Sequence, residues 1–256
     1  MVSFNFRKQS MLKLAQTIIF LCFLNTSLAQ ALPDNTKPEN AKPENSKPKH
    51  IQLEYEVTQN GKPFATVKEN FTQDGKQYKI ESITKGIGIY ALFGERKLTS
   101  TGEVTAQGLK PVHFELHQGD SDRKTLITDF DWPKSTLNMQ VKGEIKSAVL
   151  EKNTQDLASY AYQFMFMPPL KDQVNVTLTT GKKLNQYQYK VAERGVVLDA
   201  ANTQYKTTHL VSTKAEDESK KQLWLAQDQH YLLVRYRQLD ENGATLEQTL
   251  TKIHVE

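Results

Sequence analysis

The sequence contains a single cysteine, Cys22, in 256 residues. Beyond it the chain has no disulfide framework, no thiol nucleophile and no cysteine metal site. Long hydrophobic runs are also missing. The strongest, Ile18 to Leu24, stops at Asn25, well short of the roughly 20 apolar residues that a membrane-spanning helix needs. Nucleophile elbow, phosphate-binding loop, dinucleotide fingerprint and zinc-protease helix are all absent. An excess of charge of one sign is absent as well, because basic and acidic residues balance at 26 each from Ile51 onward. A nucleic-acid-binding domain would show a basic surplus, so nucleic acid is not an expected partner.

The N-terminal segment has the composition of an export signal. Basic Arg7, Lys8 and Lys13 precede the apolar run, and the small residues Ser27, Ala29 and Ala31 follow it. Residues 1–31 are therefore expected to be a cleaved signal peptide, with the mature chain starting near Gln30 or Leu32 and with Met11 as an alternative start. Bulky Leu21 before Cys22 is unlike a lipidation site, so no stable membrane anchor is expected. Residues 36–50 are three related pentads, TKPEN, AKPEN and SKPKH. They hold no apolar residue larger than Ala, and residues 32–50 read as an extended tether.

From Ile51 the pattern has period two. Leu53, Tyr55 and Val57 alternate with Gln52, Glu54 and Glu56, and Asn60-Gly61 and Asp74-Gly75 mark tight turns, since both residues of such a pair accept positive φ. Further strands are expected near 96–105, 109–118, 123–131, 136–141, 174–180, 184–191, 203–213, 220–226, 230–239 and 244–255. Helical candidates are few: the stretch 86–94, GIGIYALFG, and the stretch 155–166, QDLASYAYQFMF, stopped by Pro168-Pro169. The expected fold is all-β: one domain over 51–256, a large curled antiparallel sheet of about a dozen strands, half-barrel or barrel, with one or two short covering helices.

Candidate chemistry is sparse. The stretch 221–237, KQLWLAQDQHYLLVRYR, is explained by two strands and a turn at Asp228 to His230, with Trp224 expected on the concave or helix-covered face. His113, Glu115 and His117 share a strand face, but about 13 Å separates the two histidines at ~3.3 Å per residue, so they cannot both hold one ion. Asp129 and Asp131 share a face and read as solvated acids beside a turn. No catalytic residue, metal ligand or cofactor is assigned. The apolar surplus lies in the two helical candidates, whose aromatics and methionines suit the lining of an apolar cavity. The candidate ligand-binding residues are Tyr90, Leu92, Phe93, Tyr160, Phe164 and Trp224.

Four stretches in order, ALFGERKLTSTGEVTAQGLKPVHFEL (91–116), FDWP (130–133), QDLASYAYQF (155–164) and LWLAQDQHYLLVRYRQLDENG (223–243), resemble the DUF3108 family of exported bacterial proteins. The likeness covers nearly all of 51–256, although the family usually carries Pro where this chain has Leu233. The hairpin at 223–237 is also similar to one in periplasmic lipoprotein carriers of the LolA-like kind, an analogy of fold only. The resemblance implies a periplasmic location and supplies no catalytic residues. The expected function is non-enzymatic binding of a lipid or other apolar ligand. Its rivals are a scaffold that docks an envelope protein partner and a cell-wall or polysaccharide hydrolase.

Overall fold

A computed structural model describes residues 47–119, 125–167, 169–214 and 219–256. The segment expected to be a signal peptide and most of the expected tether lie outside them. The first wing of the molecule comprises β1 (His50–Gln59), β2 (Lys62–Asp74), β3 (Gln77–Gly86), β4 (Arg96–Thr105), β5 (Gly108–Gln118), β6 (Leu126–Asp131), β7 (Thr136–Val141) and β8 (Glu144–Val149). A 3-10 turn, Gly88–Phe93, interrupts it between β3 and β4. The second wing comprises β9 (Gln155–Asp156), α1 (Tyr160–Gln163) continued by a 3-10 turn (Phe164–Phe166), β10 (Gln173–Thr179), β11 (Leu184–Ala200), β12 (Thr203–Lys214), β13 (Lys220–Ala226), β14 (Leu232–Leu239) and β15 (Thr245–Val255).

These strands form one sheet in the order β8-β7-β6-β5-β4-β3-β2-β1-β15-β14-β13-β12-β11-β10-β9. Each wing is a meander of hairpins, and the wings join where the first strand pairs with the last, Ile51 opposite Val255 and Val57 opposite Gln248. Only β9 and β10 run parallel. The hairpins follow from turn chemistry. Asn60 and Gly61 both adopt positive φ, at 51° and 74°, as do Ala201 and Asn202 at 47° and 57°, which matches the right-handed twist of the paired strands.

Alternation decides which face is inside. Ile51, Leu53, Tyr55 and Val57 of β1 are at most 2% exposed, while Glu54 between them binds Lys68 and Lys252 on the outer face. The sheet curls until its β9 end lies beneath the inner face of the first wing. Gln155 donates to the Leu109 carbonyl (2.9 Å), Ser100 donates to Asp156 (2.6 Å), and Gly181 in the β10–β11 turn approaches Leu126 and Phe114 so closely that a Cβ would lie 3.1 Å from the leucine. The two edge strands, β8 and β9, do not pair with each other, so the sheet is curled and unclosed. Of the half-barrel and barrel expected from sequence, the half-barrel holds.

Three expectations about extent need revision. The strand β8 was not expected, because EIKSAV has no buried face to impose alternation: five of its six residues are exposed. The stretch 155–166 forms one helical turn, since Gln155 and Asp156 are taken into a strand. The tether ends sooner than expected. The Lys47 ammonium donates to the Met165 carbonyl and lies 5.4 Å from the Phe166 ring, Pro48 is buried, and the Lys49 N–H donates to Glu256 (2.9 Å). Residues 47–50 therefore belong to the body.

Candidate functional site

Antiparallel pairing gives the curl two distinct ends. At one end lie the β2–β3, β4–β5, β6–β7 and β13–β14 turns together with α1. At the other lie the β1–β2, β3–β4, β7–β8 and β10–β11 connections, called the rim here. The two helical stretches singled out in the sequence fall at opposite ends.

The helical segment plugs the first end. Tyr160, Tyr162 and Phe164 are 2%, 1% and 0% exposed, and the Phe71 and Tyr162 rings stack with centroids 5.3 Å apart. Gln163 fixes the plug to the β4–β5 hairpin, accepting from the Leu109 N–H (2.7 Å) and donating to the Gln107 carbonyl (2.9 Å). Gly108, at φ +105°, is the residue that allows this approach, because a Cβ there would lie 2.3 Å from the Gln163 amide. Before the helix, Asp156 accepts from the N–H groups of Ala158 (2.8 Å) and Ser159 (2.9 Å). These bonds and that from Ser100 hold the carboxylate, yet desolvation dominates and lifts its pKa to about 6.

A second acid sits on the inner face. Glu69 occupies an inward position of β2, between Val67 and Phe71, and receives hydrogen bonds from Ser82 (3.1 Å) and Tyr162 (3.2 Å). Desolvation outweighs both bonds and raises its carboxyl to about 7. The phenols of Tyr55, Tyr160 and Tyr162 are all raised by burial and by the Glu69 charge, and Tyr55 donates to the Leu233 carbonyl (3.0 Å).

The rim is built differently. Tyr90 anchors the β3–β4 connection, packing on Phe64 at 4.5 Å between centroids and donating to Gln59 (3.3 Å). Gln118 donates to the Phe93 carbonyl (3.0 Å) and holds the far end. On this connection Ile89 is 69% and Leu92 87% exposed, with Ile87 and Phe93 near 40%. Leu92 and Phe93 thus stand in water at the rim and do not line an enclosed cavity as expected; three glycines in nine residues leave the stretch too short and too bent to lay a face onto the sheet.

Trp224 needs a similar correction. The Asp228–His230 segment does form the expected turn, with His230 and Tyr231 at positive φ. Leu223 and Leu225 take the inner face, so Trp224 points outward, stacked on His209 (4.3 Å) and covered by the Arg235 and Arg237 guanidiniums at 6.0 and 5.7 Å. It is 8% exposed because cations shield it. The six candidate residues therefore divide into a core pair (Tyr160, Phe164), a rim group (Tyr90, Leu92, Phe93) and an outer-face residue (Trp224).

The outer face of β5 and β6 carries a hydrogen-bonded chain. Asp129 meets His113 Nδ1 (2.7 Å), Glu115 bridges His113 Nε2 (3.1 Å) and His117 Nε2 (2.8 Å), and Thr125 meets His117 Nδ1 (3.0 Å). Partial burial opposes the His113 charge, but its bonds to Asp129 and Glu115 prevail and raise its pKa. His117 and Thr125 border a shallow depression of about 280 Å³ with Ile127, Gln140 and Gly143. Each ring nitrogen of this chain already faces a partner, and among the described residues no group of three or more His, Asp or Glu is arranged to hold a metal ion. Asp131 turns away from Asp129 to bind Lys134 (2.5 Å), so the two do not form a paired-acid site.

The model of a protein family of unknown function, DUF3108, matches residues 54–251. The chain belongs to the DUF3108 family. The match begins within β1 and ends within β15, so both wings and the plug lie inside the family domain. No curated protein matches the chain.

Sequence reasoning passed over Glu69, Ser82 and Arg96. Their signal is a polar residue in the apolar register: Ala65, Val67, Glu69 and Phe71 share one face, as do Arg96, Leu98 and Ser100. A charge at such a position either has a buried partner or awaits one.

Proposed function

We propose that this DUF3108 protein is a periplasmic, non-enzymatic carrier that takes up a lipid or other apolar ligand at its rim. The observation that carries the reading is the exposure of Ile87, Ile89, Leu92 and Phe93 together on one anchored connection beside the unclosed curl. Water-exposed apolar residues clustered in this way mark an interaction site more often than a structural one. A curled sheet plugged at one end and edged with apolar residues at the other suits a ligand that enters lengthwise. The inner-face acids Glu69 and Asp156 are each engaged by hydroxyl or backbone N–H donors.

The test is titration of the exported chain with a fluorescent fatty-acid analogue. Saturable binding is expected, weakened in the double variant Ile89→Ser and Leu92→Ser, whose fold is checked by circular dichroism. Absence of saturable binding would reject the reading.

A second reading, docking of an envelope protein, has one observation of its own. The edge strand β8 presents unpaired backbone, with Ile145 and Val149 67% and 73% exposed on one face, and such an edge can accept a partner strand.

A further inference from the structure

The two wings bring an unpaired cation and unpaired polar groups to the same end of the inner face. Arg96 opens β4 at the rim and follows the inward alternation of Leu98 and Ser100; it is 7% exposed. Its neighbours are committed elsewhere on the outer face, Glu95 to Lys85 (2.7 Å) and Lys97 to Glu81 (3.1 Å). Among the described residues Arg96 meets no carboxylate and no hydrogen-bond acceptor. The two acids on the inner face are engaged elsewhere, Glu69 by Ser82 and Tyr162 and Asp156 by Ser100 and the Ala158 and Ser159 N–H groups.

From the other wing, the β10–β11 turn is pressed against Phe114 and Leu126 through Gly181. That contact carries Lys182 to the rim and Asn185, 2% exposed, onto the inner face just below it. Both polar atoms of the Asn185 side chain lack partners, as does the hydroxyl of Thr128, which is fully buried opposite Phe114 on β6. The Lys182 ammonium is depressed by desolvation and then by the Lys142 and Arg96 cations, which places positive charge on both sides of the wing contact.

The Arg96 guanidinium is largely covered, and its nitrogens keep only a narrow contact with water; a cation so confined without a counter-ion gains when an anion meets it. Its fork geometry fits the two oxygens of a carboxylate or phosphate. We propose that Arg96 receives the anionic head group, carboxylate or phosphate, of an amphiphilic ligand at the rim end of the inner face, and that Lys182 stands at its entrance. This deepens the apolar-ligand reading and rests on it for the tail alone.

Competition titrations on the exported chain with dodecanoate, its neutral analogue dodecanol and inorganic phosphate separate the two. Dodecanoate should bind at least about tenfold more tightly than dodecanol, as a charge-assisted bidentate contact implies. Arg96→Met should abolish that preference, bringing dodecanoate affinity down to that of dodecanol, and should raise the melting temperature of the ligand-free protein, because a largely buried charge without a counter-ion has been removed. Lys182→Ala, on an exposed turn with little consequence for folding, should reduce the preference about threefold. If Arg96→Met does not fold, the Lys182→Ala result and the wild-type preference decide the matter.

Equal binding of dodecanoate and dodecanol by wild type would overturn the head-group site and leave the apolar reading standing. Stabilisation of wild type by phosphate, lost in Arg96→Met, with no binding of either chain compound, would support the anion site and reject the apolar tail. No binding of any of the three would overturn both.

Discussion

Two apolar, aromatic-bearing stretches end up in opposite surroundings. Residues 155–167 and 86–94 are both rich in aromatics and large aliphatics, yet Phe164 is 0% exposed and Leu92 is 87% exposed. The difference lies in their polar anchors. Gln155, Asp156 and Gln163 tie the first stretch to Leu109, Ser100 and Gln107 on the inner face, and burial of the intervening rings follows. The second has Tyr90 and the carbonyls of Phe93 and Gly94 as anchors, all at the rim. Apolar content alone does not determine burial; where the neighbouring polar groups find partners does.

The comparison is broken most severely by removing the plug. Phe164→Ala should cost about 3–5 kcal/mol of stability, the range for truncating a fully buried aromatic, measured by urea denaturation. If the plug were peripheral the loss would stay below 1 kcal/mol.

Next in size is the buried acid. The folded-state pKa of Glu69 is raised from 4.5 to about 7, so between these values the folded protein binds more protons than the unfolded chain. Stability on this account is full below pH ~4.5 and declines as pH rises through about 7. Asp156, raised from 3.8 to about 6, acts in the same direction over a lower window. Glu69→Gln should leave stability at pH 4.5 nearly unchanged and raise it at pH 8 by about 3–3.5 kcal/mol, as 1.36 kcal/mol per pKa unit implies for a rise from 4.5 to about 7. Melting temperatures recorded from pH 4.5 to 8.5 check the slope; a wild type more stable at pH 8 than at pH 5 would contradict the assignment.

A smaller change isolates one bond. Tyr162→Phe keeps the ring stacked on Phe71 and deletes the hydroxyl that donates to Glu69. A loss of about 1 kcal/mol at pH 8 is expected, the usual range for one hydrogen bond, with less at pH 5, where a protonated acid accepts more weakly. Denaturation of both proteins at the two pH values measures it.

The sequence made the meander legible because water dictates alternation wherever one face is buried, and Asn60-Gly61 and the turn at 227–231 announce hairpins. It did not disclose β8, whose EIKSAV has no core face, or the pairing of β1 with β15, which depends on the curl of the whole sheet. Trp224 was misplaced for a physical reason: an indole on the outer face is covered by Arg235, Arg237 and His209, which reads in sequence as a polar face. Among the site residues, Glu69 and Arg96 were visible as polar interruptions of apolar faces, but that signal acquires meaning only when the opposite wing is known to bring Tyr162 to the one and, among the described residues, no carboxylate to the other.

The smallest expected effect tests the other half of the comparison. Leu92→Ser changes a side chain that is almost wholly in water in the folded protein and equally so in the unfolded chain, so no transfer free energy is lost on folding. The backbone of the connection is held by Tyr90 and by Gln118, and neither depends on Leu92. Stability should therefore change by no more than about 0.5 kcal/mol, in urea denaturation run beside Phe164→Ala. A loss above 1 kcal/mol would mean that the leucine packs against the body in solution, and the rim would then be a second plug. A null result keeps Leu92 as a residue maintained in water for something other than the fold, which is the condition that uptake of an apolar ligand at the rim requires.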